Sequence, residues 1–131
     1  MTEPTGTRAI ATVSILVLPE VTASVLFGLN DLFQGVGRDW PQVVEGRPGA
    51  SQLRVQIVSS DGQPLTIANG VRVVPDASLA DALPAEVVCM PEVFVVPTDD
   101  LRGRFKAEAA WLRQTYARGA IVAAACSGAL L

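Results

Sequence analysis

The sequence contains no histidine and only two cysteines, Cys89 and Cys126. Without an imidazole the chain cannot build a Cys–His dyad, which removes the usual base for an activated thiol. The cysteines sit in or beside apolar runs and not in CxxC spacing, so neither a metal site nor a disulfide framework is indicated. Basic charge is also scarce: 10 Lys and Arg against 13 Asp and Glu give a net charge of −3, with no electrostatic footprint for nucleic acid. No apolar run reaches the ~18 residues that span a bilayer, and the opening MTEPTGTR lacks the basic-then-apolar order of a secretory signal. A cytoplasmic protein without a membrane partner is the expectation. The segment LPEVTAS after the first apolar run holds no glycine, which disfavours a phosphate cradle or a dinucleotide cofactor. No internal repeat and no low-complexity tract is present, and no cofactor is called for.

What the chain does have is apolar mass: 50% hydrophobic residues and 18% charged ones over 131 residues, enough for one domain with buried strands. ATVSILVL, from Ala11 to Leu18, is short, β-branched and nearly all apolar, the pattern of a strand covered on both faces. Pro19 ends it. Over 22–34 the residues Val25, Leu26, Leu29, Leu32 and Phe33 recur at helical spacing, with Thr22 as N-cap. Residues 36–52 mix Gly, Pro and charge without a period and read as a loop. LRVQIVSS is a second strand followed by turn chemistry in SDGQP; VRVVP is a short extended piece, and DASLADALP suggests one or two helical turns capped by Asp76 or Ser78. EVVCMP is another buried strand. The longest helical stripe, Leu101, Phe105, Ala109, Leu112 and Tyr116, runs over 101–118 and stops at Gly119, with Asp99 and Asp100 as N-terminal cap and dipole pair rather than metal ligands. On that reading Arg102, Arg104 and Lys106 form a solvated helix face. Trp40 and Trp111 suit packing or an interface. IVAAAC closes the series. Strands alternating with helices, most of them wholly apolar, predict an α/β, flavodoxin-like fold with a mainly parallel sheet and helices on both faces.

The last run, AIVAAACSGALL, carries the chemistry. Small residues lead a strand into Cys126, and Ser127-Gly128-Ala129 then permit a crowded turn into a helix, the form of a nucleophile elbow. At a helix N-terminus the thiol feels the positive end of the dipole, which favours thiolate, and the Ser127 amide points at the same spot as an oxyanion donor. The alternative is a buried strand and turn with an inert thiol. Cys89, inside VVCM, reads as an inert core thiol. If the elbow is exposed, Cys126 oxidises before Cys89.

AIVAAACSGALL, preceded by AAWLRQTYARG and VVCMPEVFVVP, resembles the ThiJ/PfpI branch of the class I glutamine amidotransferase-like superfamily. With VSILVLPEVTASVLFGLNDLF added, it is similar to the N-terminal domain of AraC-type transcriptional regulators built on that fold. The resemblance covers residues 12–131. It implies that residues 11–131 are the first part of one such domain behind a flexible tail at 1–10, that the domain is incomplete at its C-terminus, and that Cys126 is the elbow residue. It also implies that Pro91, Glu92 and Val93 line the pocket beside the elbow. Enzymatic members carry glycines in that loop, where this chain has Glu92 and Val93, and a carboxylate on the first helix. Aligned on Pro19 and Gly28, that carboxylate position is Val25, which cannot share the thiol proton; Glu20 is the candidate substitute acid.

Three functions follow as expectations. The first is a ligand-sensing or dimerising domain of an AraC-type regulator, a homodimer with a small-molecule effector, reading DNA only through a region outside this chain. The second is a cysteine-dependent hydratase or hydrolase using Cys126, such as an isonitrile hydratase. The third is an interaction module that uses the fold only for dimerisation. Val25 and the Glu92 loop favour the first, because sensing requires shape rather than proton transfer.

Overall fold

The computed structural model describes residues 10–131. The expected tail at 1–10 therefore lies, apart from the exposed Ile10, outside the described residues. Strand β1 (Ala11–Leu16) leads to helix α1 (Ala23–Gly35), then to a short helix α2 (Asp39–Glu45) and strand β2 (Leu53–Ser59). A two-residue-per-strand hairpin, β3 (Leu65–Thr66) with β4 (Arg72–Val73), precedes the short strand β5 (Ala77–Ser78), strand β6 (Val87–Met90), helix α3 (Lys106–Ala117) and strand β7 (Ile121–Ala124). The main sheet has five strands in the order β5-β2-β1-β6-β7, every neighbouring pair parallel. This is the expected flavodoxin-like α/β arrangement.

β1 is the centre of the sheet because its side chains can be buried on both sides. Ile15 and Val17 join Leu26 of α1, Ile57 and the hairpin residue Val73 in one cluster. Leu16 joins Val58, Val88, Met90 and Leu112 of α3 in a second cluster on the other face. The register follows the same alternation: Ile15 lies beside Ile57 and Cys89, and Leu16 beside Val58. β7 forms one edge of the sheet, opposite β5, with Ile121, Ala123 and Ala124 exposed.

Two polar side chains tie the strands together. The Gln56 amide nitrogen donates to Ser14 Oγ at 2.8 Å and to the Leu83 carbonyl at 2.8 Å, while its Oε1 accepts the Leu83 N–H at 3.2 Å. One side chain thus ties β1, β2 and the segment before β6. Asp76 Oδ2 accepts the Ile57 N–H at 2.7 Å, and the Asp76 N–H returns to the Ile57 carbonyl at 2.7 Å, docking β5 on β2.

Several local expectations are corrected. Residues 36–52 contain α2 rather than only loop. DASLADALP supplies the short strand β5 and one turn, in which Ser78 Oγ accepts the Asp81 N–H at 3.1 Å. Thr22 occupies the N-cap of α1, yet its hydroxyl makes no capping bond and its Oγ1 is buried without a partner among the described residues. α3 begins at Lys106 and not at 101, because Gly103 takes a left-handed φ of 79° that a helix cannot continue. Asp100 instead accepts the Arg102 N–H at 3.0 Å and pairs with its guanidinium, which holds the Asp100 carboxyl below the ordinary range. Trp111 packs against the α3-side cluster, whereas Trp40 is exposed. At the other end of α3, Gly119 with φ 97° is the stop the sequence predicts.

Replacing Gln56 with Leu removes one partner from Ser14 and two from Leu83 in a buried setting. The expected loss is about 1–3 kcal/mol in chemical denaturation. An unchanged midpoint and slope would show that the network contributes nothing.

Candidate functional site

The sheet order reverses between β1 and β6, and in open parallel sheets ligands bind outside the carboxyl ends of the strands at such a switch point. Three chain segments meet there: Pro19-Glu20-Val21 after β1, Pro91-Glu92-Val93 after β6, and Ala125-Cys126-Ser127 after β7.

The third segment is an elbow. The Ala125 N–H reaches the Met90 carbonyl at 2.9 Å, continuing the ladder one residue past β7. Cys126 then adopts φ 49°, a left-handed conformation costly for a residue with a Cβ, and a 3₁₀ turn runs over Cys126–Leu130. The turn fits only because residue 128 has no side chain: a Cβ there would lie 2.6 Å from the Met90 carbonyl oxygen and collide with that of Pro91. Cys126 is exposed at the tip, while Cys89 is buried in β6, where desolvation pushes its thiol up from the ordinary range.

Ser127 fixes the elbow to the β6 loop through its side chain. Its Oγ donates to the Val93 carbonyl at 2.8 Å and accepts the Val93 N–H at 3.1 Å. The Val93 amide is therefore engaged and does not point into the cleft as a second oxyanion donor. Val93 also bridges to Val21, and the Phe94 N–H bonds the Glu20 carbonyl at 2.7 Å, so all three segments are joined through the backbone of 93–94.

The expected site residues divide into two groups. Cys126, Ser127, Glu92 and Val93 are brought together around a cleft of about 730 Å³, within the ~300–1,000 Å³ range of small-molecule sites. Glu20 and Val25 do not line it. Val25 is half-buried on the first turn of α1. Glu20 turns to Arg104: its Oε1 accepts from the guanidinium at 2.7 Å, and its Oε2 is buried without a partner among the described residues. Arg104 also pairs with Asp99 at 3.2 Å and lies over the Phe105 ring, 5.3 Å from its centroid. The expected helix face is corrected in its placement alone: Arg102 and Arg104 precede α3, while both they and Lys106 are exposed. Sequence reasoning missed the rest of the cleft wall, Phe94, Val95, Val96, Pro97, Leu101 and Leu130. Its one available signal is the run VFVVP continuing beyond the loop.

The wall is apolar apart from Glu92, Asp99, Cys126 and Ser127, and it contains no lysine or arginine. Among the described residues no group of three or more Cys, Asp or Glu is placed to hold a metal ion. No helix among them is long and apolar enough to cross a membrane. A second hollow, about 460 Å³, lies at the opposite end of the strands between α3 and the segment before β6, and contains no cysteine.

No protein-family model matches the sequence, and none of the curated proteins does. Solved structures do match its fold. An AraC family transcriptional regulator from Pseudomonas putida superposes with a TM-score of 0.64 at 14% identity, over 91% of this chain and 57% of that protein. Drosophila melanogaster DJ-1beta gives 0.65 at 17%, covering 93% and 58%, and a ThiJ/PfpI family protein from Pseudomonas syringae gives 0.60 at 22%, covering 93% and 44%. The chain has the fold of the DJ-1/ThiJ/PfpI proteins, and it spans 44–58% of the length of these three.

Two outcomes test this geometry. Gly128→Ala is expected to lose about 2–3 kcal/mol in thermal or chemical unfolding, because backbone carbonyls cannot yield to the new Cβ; wild-type stability would contradict the packed turn. Iodoacetamide is expected to alkylate Cys126 at least about tenfold faster than Cys89 in the folded protein, as read by peptide mass spectrometry. Equal rates would contradict the exposed tip.

Proposed function

We propose that this chain is the ligand-sensing domain of a transcriptional regulator, working as a homodimer and binding a small apolar effector in the elbow cleft without turning it over. The observation that carries this reading is the engagement of Glu20, the one substitute acid, with Arg104 at 2.7 Å and away from the cleft that Cys126 lines. Val25 at the position of the enzymatic carboxylate and the Val93 amide bonded to Ser127 support the same reading, because neither offers proton transfer or a second oxyanion donor. What is left is shape: a largely apolar wall on which Asp99 is already paired with Arg104, so that Glu92 is its one carboxylate without an ion pair among the described residues, a lining that suits small apolar molecules better than anions. The net charge of −3 supports a reading in which this chain does not itself contact DNA. The regulator among the structural neighbours supports the setting by analogy of fold.

A strained, exposed Cys126 favours a second reading, a cysteine-dependent hydratase or hydrolase. One experiment separates the two. Small apolar alcohols, amides and isonitriles are titrated by calorimetry and assayed for turnover, with wild type, Leu130→Trp and Cys126→Ala. The sensor reading expects saturable binding, weakened at least about tenfold when tryptophan fills the cleft mouth, with no product formed. Turnover abolished by Cys126→Ala would overturn it in favour of the enzyme.

A further inference from the structure

The hollow at the amino ends of the strands has two walls, each ordered by its own hydrogen bonds. One wall is the segment between β5 and β6. There the Leu83 N–H bonds Gln56 Oε1 at 3.2 Å, the Leu83 carbonyl accepts from the Gln56 amide nitrogen at 2.8 Å, and the Ala82 N–H bonds the Ser78 carbonyl at 2.9 Å. The other wall is the last turn of α3 and its exit into β7. The Arg118 N–H bonds the Gln114 carbonyl at 3.1 Å, and past the left-handed Gly119 the Ala120 N–H returns to the Thr115 carbonyl at 3.2 Å. The Ile121 N–H then bonds the Glu86 carbonyl at 2.8 Å and joins the walls at the sheet. The volume of about 460 Å³ falls within the ~300–1,000 Å³ range of small-molecule sites, and walls fixed in advance lose little conformational freedom on binding.

The lining differs in kind from that of the elbow cleft. Leu79, Leu83 and Trp111 supply apolar surface, and Leu79 and Trp111 are backed by the α3-side cluster. Two full charges of opposite sign, Glu86 and Arg118, share the same lining. Glu86 is held by the Thr12 N–H, which donates to its Oε2 at 2.6 Å, a neutral donor that leaves the carboxylate its charge. Arg118 enters no ion pair among the described residues, with Glu86 or with any other carboxylate. Opposite charges that line one hollow without meeting attract a ligand that carries both signs, whereas a ligand of single charge is repelled by one of them. A guanidinium takes a carboxylate through two parallel bonds, and a carboxylate takes an ammonium. Gln114, four residues before Arg118 and so on the same face of α3, adds an amide beside the guanidinium.

We propose that this hollow is a second small-molecule site and that it takes a zwitterion with an apolar body, the chemistry of an apolar α-amino acid. The ligand carboxylate meets Arg118 and Gln114, its ammonium meets Glu86, and its side chain lies against Trp111, Leu79 and Leu83. The inference goes beyond the sensor reading and is independent of it, since none of these residues lines the elbow cleft.

Titration of the full chain with L-leucine tests it, read by calorimetry and by emission in a Trp40→Phe background, where Trp111 is the one tryptophan left. Isoamylamine and 4-methylpentanoate present the same body with one charge each. L-Leucine is expected to give a saturable change in Trp111 emission, with a Kd at least about tenfold below that of either analogue. Arg118→Met should raise the leucine Kd at least about tenfold without weakening isoamylamine. Glu86→Gln keeps an oxygen to accept the Thr12 N–H; it should weaken leucine to a similar extent without weakening 4-methylpentanoate. Leu130→Trp, which fills the mouth of the elbow cleft, should leave leucine binding unchanged by calorimetry whether or not the sensor reading holds. No saturable leucine signal below about 10 mM overturns the proposal. Binding that ignores both Arg118→Met and Glu86→Gln, or that is lost in Leu130→Trp, overturns the site. Wild-type affinity for the amine or the acid equal to that for leucine overturns the zwitterion.

Discussion

The mutual hydrogen bonds between the Ser127 hydroxyl and the Val93 backbone fix the relation between the elbow and the rest of the sheet. They are two bonds of ordinary length, but they join segments 34 residues apart in sequence. Through the bridge of Val93 to Val21 and the Phe94–Glu20 bond they also fix the exit of β1. The glycine at 128 lets the turn approach the Met90 and Pro91 carbonyls, and the left-handed Cys126 then has one direction in which to stand. Strain at one residue is tolerated because its neighbours on both sides are over-determined.

The same bonds set the chemistry. A loop amide that bonds a serine hydroxyl cannot also stabilise developing charge on a substrate oxygen. Glu20 is held by Arg104 in an ion pair and stands outside the lining of the cleft. Arg104 in turn is shared with Asp99, so positive charge near the cleft is neutralised before any ligand arrives. The proposed binding role rests on these features and on the departures at Val25, Glu92 and Val93 from the pattern that the resemblance implies for enzymes.

The core strands were legible in the sequence because parallel strands buried on two faces are continuous apolar runs, as in ATVSILVL and EVVCMP. The elbow was legible from AAACSG, where crowding admits only small residues. Less visible were features made by distant partners. The pairing of Glu20 with Arg104 spans 84 residues, and no local pattern announces it. α2 escaped notice because Pro41 sits inside it and its order depends on Gly37 meeting Gly49. The start of α3 was misplaced because Leu101 and Phe105 keep the helical spacing while Gly103 breaks the backbone beneath them. Glycine and proline thus ended one element and concealed another.

The most direct test of this account is residue-resolved amide hydrogen exchange over 92–94 in the folded chain. Slow exchange at Val93 and Phe94, comparable with that of β1, is predicted from their bonds to Ser127 Oγ and the Glu20 carbonyl. Fast exchange at Val93 alone would mean that its amide is free to serve as an oxyanion donor, and would contradict the view of this elbow as a binding site rather than a reaction centre.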